Sequence, residues 1–185
     1  NAGNRPPFGV RLLFQAAEEV MPGGALDAID AGVTDGLTRM FALHCDPHLP
    51  AGTVGLRAGA LTSAADRVEV HLHGPGGHTS RPHLTADLVY AMGTVITGLP
   101  GFLSRRVDPR SGTVMVWGAA HSGDAPNAIP QEGRLRGTVR TGDRDVWQDL
   151  EPLVRSIIGE LVAPLGVTYD LTYVRGVPPV VNDAD

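Results

Sequence analysis

The pattern of apolar residues after about position 67 constrains the fold of this chain most strongly. Apolar residues at positions 68, 70 and 72 alternate with Glu69, His71 and His73, which is the period of a strand with one buried face. The predicted order is strand 68–73, helix 84–99, strands 113–117 and 134–140, helix 144–165 and strand 168–174. This β-α-β-β-α-β order is that of the split βαβ, or ferredoxin-like, arrangement, in which two helices cover one face of a four-stranded antiparallel sheet. We expect the first of these helices to end at Pro100.

The first 60 or so residues follow a different pattern. Apolar runs at 9–14, 37–43 and 53–57 have the length of buried strands, and a helix is predicted at 25–31. Continuous apolar strands separated by a helix favour a mainly parallel sheet, but these strands are too few to close a core. We therefore predict an α/β fold in which residues 1–65 are part of a larger domain, residues 66–174 form a complete inserted domain, and residues 175–185 begin the return to the first domain.

Composition excludes several classes of protein. Hydrophobic residues make up 42% of the chain, and no apolar run approaches the ~20 residues of a membrane-spanning helix. The net charge is −5, which disfavours nucleic acid as a partner, because binding to phosphates requires a basic surface. The one cysteine, Cys45, cannot form an internal disulfide bond, so a cytoplasmic location is expected.

Three residues with metal-ligand chemistry lie near the predicted strand ends of the first domain. Glu18 and Glu19 follow the first predicted strand, and His44 follows the second. Ligands collect at the carboxyl ends of parallel strands, and two carboxylates with an imidazole suit a divalent ion. Adjacent glutamates are also common in solvated turns, so the spacing alone leaves both interpretations open.

Six segments, in collinear order, resemble the M20 metallopeptidase family. They are FQAAEEVMPGGA (14–25), LHCDPHLPAGTVGLRAG (43–59), GPGGHTSRPH (74–83), PNAIP (126–130), RLRGTVRT (134–141) and RGVPPVVND (175–183). The resemblance is to the amidohydrolase branch of that family, which includes hippurate hydrolases, aminoacylases and auxin-conjugate hydrolases. It implies a zinc-peptidase-like catalytic domain and an inserted lid domain, at residues 66–174, that is also used for dimerisation.

The resemblance also implies roles for six residues and two divalent metal ions (Zn, Mn, Ni or Co). Glu18 matches the general base that deprotonates a metal-bound water, the nucleophile. The other matches are Glu19 and His44 as metal ligands, His78 as the lid histidine that stabilises the oxyanion in the partner subunit, and Asn127 and Arg140 as contacts for the substrate's carboxylate or carbonyl.

The implied activity is metal-dependent hydrolysis of an amide bond in N-acyl amino acids or small peptide conjugates by a homodimer. The family's remaining metal ligands come from segments that this chain does not include, so we expect it to be a fragment that lacks several ligands. A non-catalytic dimerisation or regulatory fragment is the alternative hypothesis. A ferredoxin-like nucleic-acid binder is disfavoured by the acidic charge and by the first lid strand, which lacks an aromatic platform.

Six residues have competing interpretations. The spacing of His71 and His73 on one strand face can bind metal, but polar residues facing solvent are expected there. Cys45 is expected to be buried, on the strand face opposite the preceding histidine. Trp117 is expected to pack in the core, and His83 to cap the following helix or to line the site. For Asn127, a turn-forming role is the alternative to substrate binding.

Overall fold

The computed structural model describes residues 7–20 and 23–184, and the chain divides between Val54 and Gly55 into two compact units. Across the residues that are described, none of the helices has both the length and the apolar character needed to cross a membrane.

The first unit contains one regular element among its described residues, helix α1 (Ala25–Asp30). None of its described residues is buried, and apolar side chains such as Phe14 and Leu43 are 88% and 93% exposed. The strands predicted at 9–14 and 37–43, and the one at 53–57 across the boundary, do not form, so these predictions are wrong. A strand is stable only when it pairs with neighbours, and the described residues of these three segments have no strand partners.

The second unit is built on a four-stranded antiparallel sheet. Its strands are β2 (Ala64–His73), β4 (Val114–His121), β6 (Glu132–Thr141) and β7 (Thr168–Val174), in the order β4-β6-β2-β7. Two long helices, α2 (Leu88–Arg106) and α3 (Arg144–Val162), connect them. This topology confirms the predicted β-α-β-β-α-β arrangement.

The core lies between one face of this sheet and the two helices. Val68, Val70 and Leu72 are fully buried, as their alternation along β2 requires. They belong to one cluster with buried residues at helical spacing on both helices, among them Leu99 and Ile158. The opposite face of the sheet is polar, because most of the intervening residues of β2 and β6 are charged or histidine.

Helix α2 differs from its prediction at both ends. The residues before it form a 3₁₀ turn (Pro82–Leu84), and α2 begins after Asp87, whose carboxylate accepts the backbone N–H of Tyr90 at 3.0 Å. It continues through Pro100 to Arg106, so the end predicted at Pro100 is wrong. Proline removes one backbone hydrogen bond, but Leu103, one turn further on, is 1% exposed and stabilises the continuation by burial.

Two short ladders complete the second unit. Strand β1 (Gly59–Ala60) pairs with β8 (Val181–Asn182), so the segments that enter and leave this unit lie side by side. Strand β3 (Gly77–His78) pairs with β5 (Ala128–Ile129), beyond the end of β2.

Candidate functional site

The β3–β5 ladder brings together two of the predicted site residues. His78 is paired with Ala128, and the backbone N–H of Thr79 donates to the carbonyl oxygen of Asn127 at 3.1 Å. Gly77 makes this ladder possible, because its φ of +155° is favoured only by glycine and an added Cβ would lie 2.3 Å from Cγ2 of Thr85. The structure therefore places His78 and Asn127, two of the predicted site residues, next to each other at this small ladder.

Hydrogen bonds from Ser80 fix the tautomer of His78. The backbone N–H of Ser80 donates to Nδ1 of His78 at 3.1 Å, and the Ser80 hydroxyl lies 2.8 Å from the same nitrogen. A ring nitrogen that accepts a backbone N–H carries no proton, so the neutral ring carries its proton on Nε2. Because His78 is exposed, this arrangement presents an N–H donor of the kind that can stabilise an oxyanion.

Arg140 lies far from His78 and Asn127. It is exposed near the end of β6, where it is paired with Ala65 and Val114, at the end of the sheet that the chain enters from β1. The His78–Asn127 pair lies beyond the opposite end of β6, roughly 27 Å away at the usual rise of a strand. Arg140 and Asn127, the two residues predicted to contact the substrate, therefore lie at opposite ends of the sheet.

The ring of His44 is oriented as a metal ligand would be. Its Nδ1 lies 2.8 Å from the carbonyl oxygen of Cys45, which can only accept, so Nδ1 carries the proton and Nε2 presents its lone pair. Metal-binding histidines commonly donate their second N–H to a carbonyl in this way. Glu18 and Glu19 lie in an exposed turn at residues 16–20. The donor chemistry of these three residues fits a divalent ion.

The three residues do not converge in the part of the chain that the structure describes: Glu18, Glu19 and His44 do not bring ligand atoms within 4.8 Å of one another. Their roles remain predictions. The neighbouring Asp46 accepts from the backbone N–H and the ring of His48, and these hydrogen bonds lower the pKa of its carboxyl. Cys45 is exposed, so the expectation of a buried thiol is wrong, because no strand forms there to create an inner face.

The remaining candidate residues are Trp117, His83 and Asn127. Trp117 packs against the core, as expected. His83 lies in the 3₁₀ turn, and Asp87 rather than His83 caps α2. Asn127 lies in a turn, which confirms the backbone role and leaves a substrate-binding role of its side chain as a prediction.

One cluster of possible metal ligands was not predicted from the sequence. His71, His73 and Glu132 place one ligand atom each within 4.8 Å of the others. The spacing of the two histidines was visible in the sequence. The contribution of Glu132 was not, because it depends on the register between β2 and β6, in which His73 is paired with Glu132.

Comparison with known proteins identifies the family. The sequence pattern of peptidase family M20/M25/M40 matches residues 1–185. The chain belongs to this family. The match confirms the resemblance of the segments around Glu18, His44 and His78 to this family.

Several curated relatives of this M20 family chain are similar over nearly its whole length. It is 53% identical over 180 residues to a Rhodococcus jostii (strain RHA1) protein named as a glutamate–cysteine ligase, covering 97% of this chain but 23% of that protein. It is 34% identical to an N-acyl-L-amino acid amidohydrolase of Geobacillus stearothermophilus (94% and 47% covered) and 33% identical to an N-acetylcysteine deacetylase of Bacillus subtilis (strain 168) (94% and 46%). The chain therefore spans less than half the length of these relatives.

Two solved M20-type structures resemble the chain closely. An aminohydrolase from methicillin-resistant Staphylococcus aureus has 30% identity and a TM-score of 0.83, covering 91% of this chain and 45% of that one. The Bacillus subtilis YXEP protein, described as a dinuclear metal-binding peptidase of the M20 family, has 29% identity and a TM-score of 0.71, covering 92% and 42%. These matches support the mixed α/β fold class of an M20 enzyme.

Proposed function

We propose that this chain forms part of an enzyme that hydrolyses the amide bond of N-acyl amino acids or small peptide conjugates. The relatives named as an N-acyl-L-amino acid amidohydrolase and an N-acetylcysteine deacetylase support this substrate class. The structural observation that carries the proposal is the Ser80–His78 hydrogen bond, because it prepares an N–H donor on an exposed residue of the lid, residues 66–174. A cytoplasmic location is part of the proposal.

The metal chemistry is assigned to the first unit. In a site for two divalent ions, Glu19 would hold one ion and the Nε2 atom of His44 would hold the other, each together with further ligands. A bound ion supplies Lewis acidity, which lowers the pKa of water and polarises the substrate carbonyl. Glu18 would then act as the general base: its carboxylate takes a proton from the attacking water and delivers it to the leaving amine.

His78 and Asn127 would act on the carbonyl side of the reaction. Negative charge develops on the carbonyl oxygen as water attacks, and the Nε2–H of His78 would stabilise that charge more than it stabilises the neutral substrate. Asn127, its neighbour across the ladder, would contact the substrate's carboxylate or carbonyl. Arg140 would bind a carboxylate through two parallel hydrogen bonds.

The separation within the lid supports a homodimer. A single N-acyl amino acid is far shorter than the roughly 27 Å between Arg140 and the His78–Asn127 pair. The two ends of one lid would therefore serve two different active sites. A two-fold dimer supplies two such sites, with His78 and Asn127 acting in the partner subunit.

Cysteine derivatives are a second, narrower candidate for the substrate. Three relatives carry cysteine in their names, two as deacetylases of N-acetylcysteine and one as a glutamate–cysteine ligase. These names describe proteins that handle an amide of cysteine, so an N-acylated cysteine is a specific substrate to test against other N-acyl amino acids.

A chimera tests the proposed function. This chain would replace the matched segment of the Geobacillus stearothermophilus amidohydrolase, which is 34% identical over 173 residues. Amino-acid release is measured for N-acetylcysteine, N-acetylmethionine and N-benzoylglycine, each with Zn²⁺, Mn²⁺, Ni²⁺ or Co²⁺. Metal-dependent release supports the hydrolase, and a shift towards N-acetylcysteine relative to the parent enzyme supports the narrower candidate. A folded, metal-loaded chimera without turnover supports the non-catalytic alternative.

A further inference from the structure

The polar face of the four-stranded sheet carries a cluster of imidazoles and carboxylates. His71 and His73 lie on β2, Glu132 on β6 and Asp170 on β7. Within residues 7–20 and 23–184, His71, His73 and Glu132 are the only group of three such side chains whose ligand atoms all lie within 4.8 Å of one another.

Strand register creates this cluster. Residues two apart on β2 face the same side, so both imidazoles point away from the core. His73 is paired with Glu132 on one side, and His71 with Asp170 on the other. The side chains then meet diagonally: Nε2 of His71 lies 3.5 Å from Oε2 of Glu132, and Nε2 of His73 donates to Oδ2 of Asp170 at 3.0 Å. The two rings are 4.2 Å apart between centroids.

The burial of the four side chains differs in a way that suits a binding site. The side chains of His71 and His73 are 28% and 35% exposed, so the sheet holds both rings in place. Those of Glu132 and Asp170 are 70% and 82% exposed and can move towards an ion. A cleft of about 640 Å³, lined by His71 and Glu132 and also by His121 and Asp124, gives access to the site.

The surrounding charges favour a cation. The two nearby guanidiniums, Arg134 and Arg136, both pair with Glu69, at 3.2 Å and 3.6 Å. Arg134 is paired with His71 across the β2–β6 ladder and both arginines line the cleft, but Glu69 partly neutralises their positive charge. The carboxylates of Glu132 and Asp170 remain next to the imidazoles.

We propose that His71, His73 and Glu132 bind one divalent transition-metal ion, Zn²⁺ in preference to Mg²⁺ or Ca²⁺, on this face of the lid. Two imidazoles and one carboxylate form a donor set typical of zinc, and hard oxygen-preferring ions would not select it. Asp170 or a water molecule supplies the fourth ligand. Because the donors come from neighbouring strands, the ion would stabilise the sheet.

Calorimetric titration of Zn²⁺ into the full 185-residue chain tests the proposal. For this titration, the substitutions Glu19→Gln and His44→Asn are introduced as a background, because they remove the metal ligands predicted for the first unit. We expect one zinc ion per chain in this background, and His71→Asn with His73→Asn to weaken its binding about tenfold or more, since both nitrogen donors are lost. His83→Gln, an exposed histidine in the 3₁₀ turn, is the matched control and should leave the affinity unchanged.

Two further measurements decide where the ion binds. Zinc should raise the melting temperature of the background chain by several degrees and should not raise that of the double-histidine variant. Crystals grown with zinc should show an anomalous peak between His71, His73 and Glu132. Equal zinc affinity in the double-histidine variant and the His83→Gln control, or an anomalous peak elsewhere, would overturn the proposal. Either outcome would leave the proposed hydrolase activity untouched, because His71, His73 and Glu132 have no role in it.

Discussion

The indole N–H of Trp147 donates to Oδ1 of Asp66 at 3.0 Å, joining helix α3 to strand β2. Asp66 is fully buried, and its carboxylate also accepts from the hydroxyl of Tyr173 at 2.6 Å and from the backbone N–H of Gly176 at 2.8 Å. A buried carboxylate is tolerated when donors satisfy it, and here three donors do so. The network fixes the exit of β7 next to the entry of β2.

Replacing Asp66 by alanine should destabilise the chain strongly. Asp66→Ala leaves the half-buried N–H groups of Trp147 and Gly176 without their acceptor, and we expect a loss of about 3 kcal/mol in the free energy of unfolding. Urea denaturation measures it. Asp124→Ala, at an exposed position, is the control and should change the free energy by less than about 0.5 kcal/mol. Equal stability of the two variants would contradict the network's role.

The hydroxyl of Tyr173 should resist ionisation at high pH. Burial, and then the hydrogen bond to Asp66, raise the pKa of Tyr173 well above the ordinary value for tyrosine. The folded state therefore keeps a proton that the unfolded state loses above about pH 10. Stability should be unaffected below that pH and should fall as pH rises above it. Tyr173→Phe should remove this part of the alkaline slope in unfolding measurements; an unchanged slope would show that Tyr173 does not cause it.

Gly137 on β6 should not tolerate a side chain. An added Cβ would lie 2.6 Å from the carbonyl oxygen of Val116 and 2.9 Å from Cε3 of Trp117, and backbone cannot move aside cheaply. We expect Gly137→Ala to cost about 2 kcal/mol in the free energy of unfolding. Gly93→Ala in helix α2, where nothing lies within 4 Å, should instead stabilise by about 0.5 to 1 kcal/mol. Thermal melts of both variants measure the two changes in stability. Destabilisation by both substitutions would refute the predicted difference between them.

The sequence predicted the second unit well because its signals are local. Alternation along β2 and helical spacing along α3 each encode one buried face, and the antiparallel order follows from the order of elements. The end of α2 was misplaced because the burial of Leu103, which depends on tertiary packing, outweighs the local effect of Pro100. The three strands predicted before residue 58 failed for a similar reason, because apolar runs indicate burial but strands need partners.

For the candidate site, too, features that depend on tertiary contacts could not be predicted from the sequence. The family resemblance assigned roles to His78 and Asn127, but their proximity was not predicted, because it depends on the pairing of β3 with β5. The proton position on His78 was not readable from the sequence, because it depends on the Ser80 backbone contact. The cluster of His71 and Glu132 was also beyond the sequence, since cross-strand register depends on the whole sheet.

Mixing two inactive chimeras tests whether His78 acts in the partner subunit. Glu18→Gln and His78→Ala should each abolish most turnover alone. Mixed dimers would hold one active site with an intact Glu18 and an intact partner His78, so an equal mixture should recover about a quarter of wild-type turnover. If His78 acted within its own subunit, both sites of a mixed dimer would be defective and the mixture would stay inactive.

The role of Glu18 is the central claim, and turnover at matched metal content tests it most directly. Amino-acid release from an N-acyl amino acid is compared between the chimera and its Glu18→Gln variant, with metal content measured in both. We expect turnover to fall about 100- to 10,000-fold while metal content is unchanged, because the variant loses the general base and keeps the ligands. Equal turnover in the two proteins, or a loss of turnover that follows a loss of metal, would contradict the assignment of Glu18 as the base.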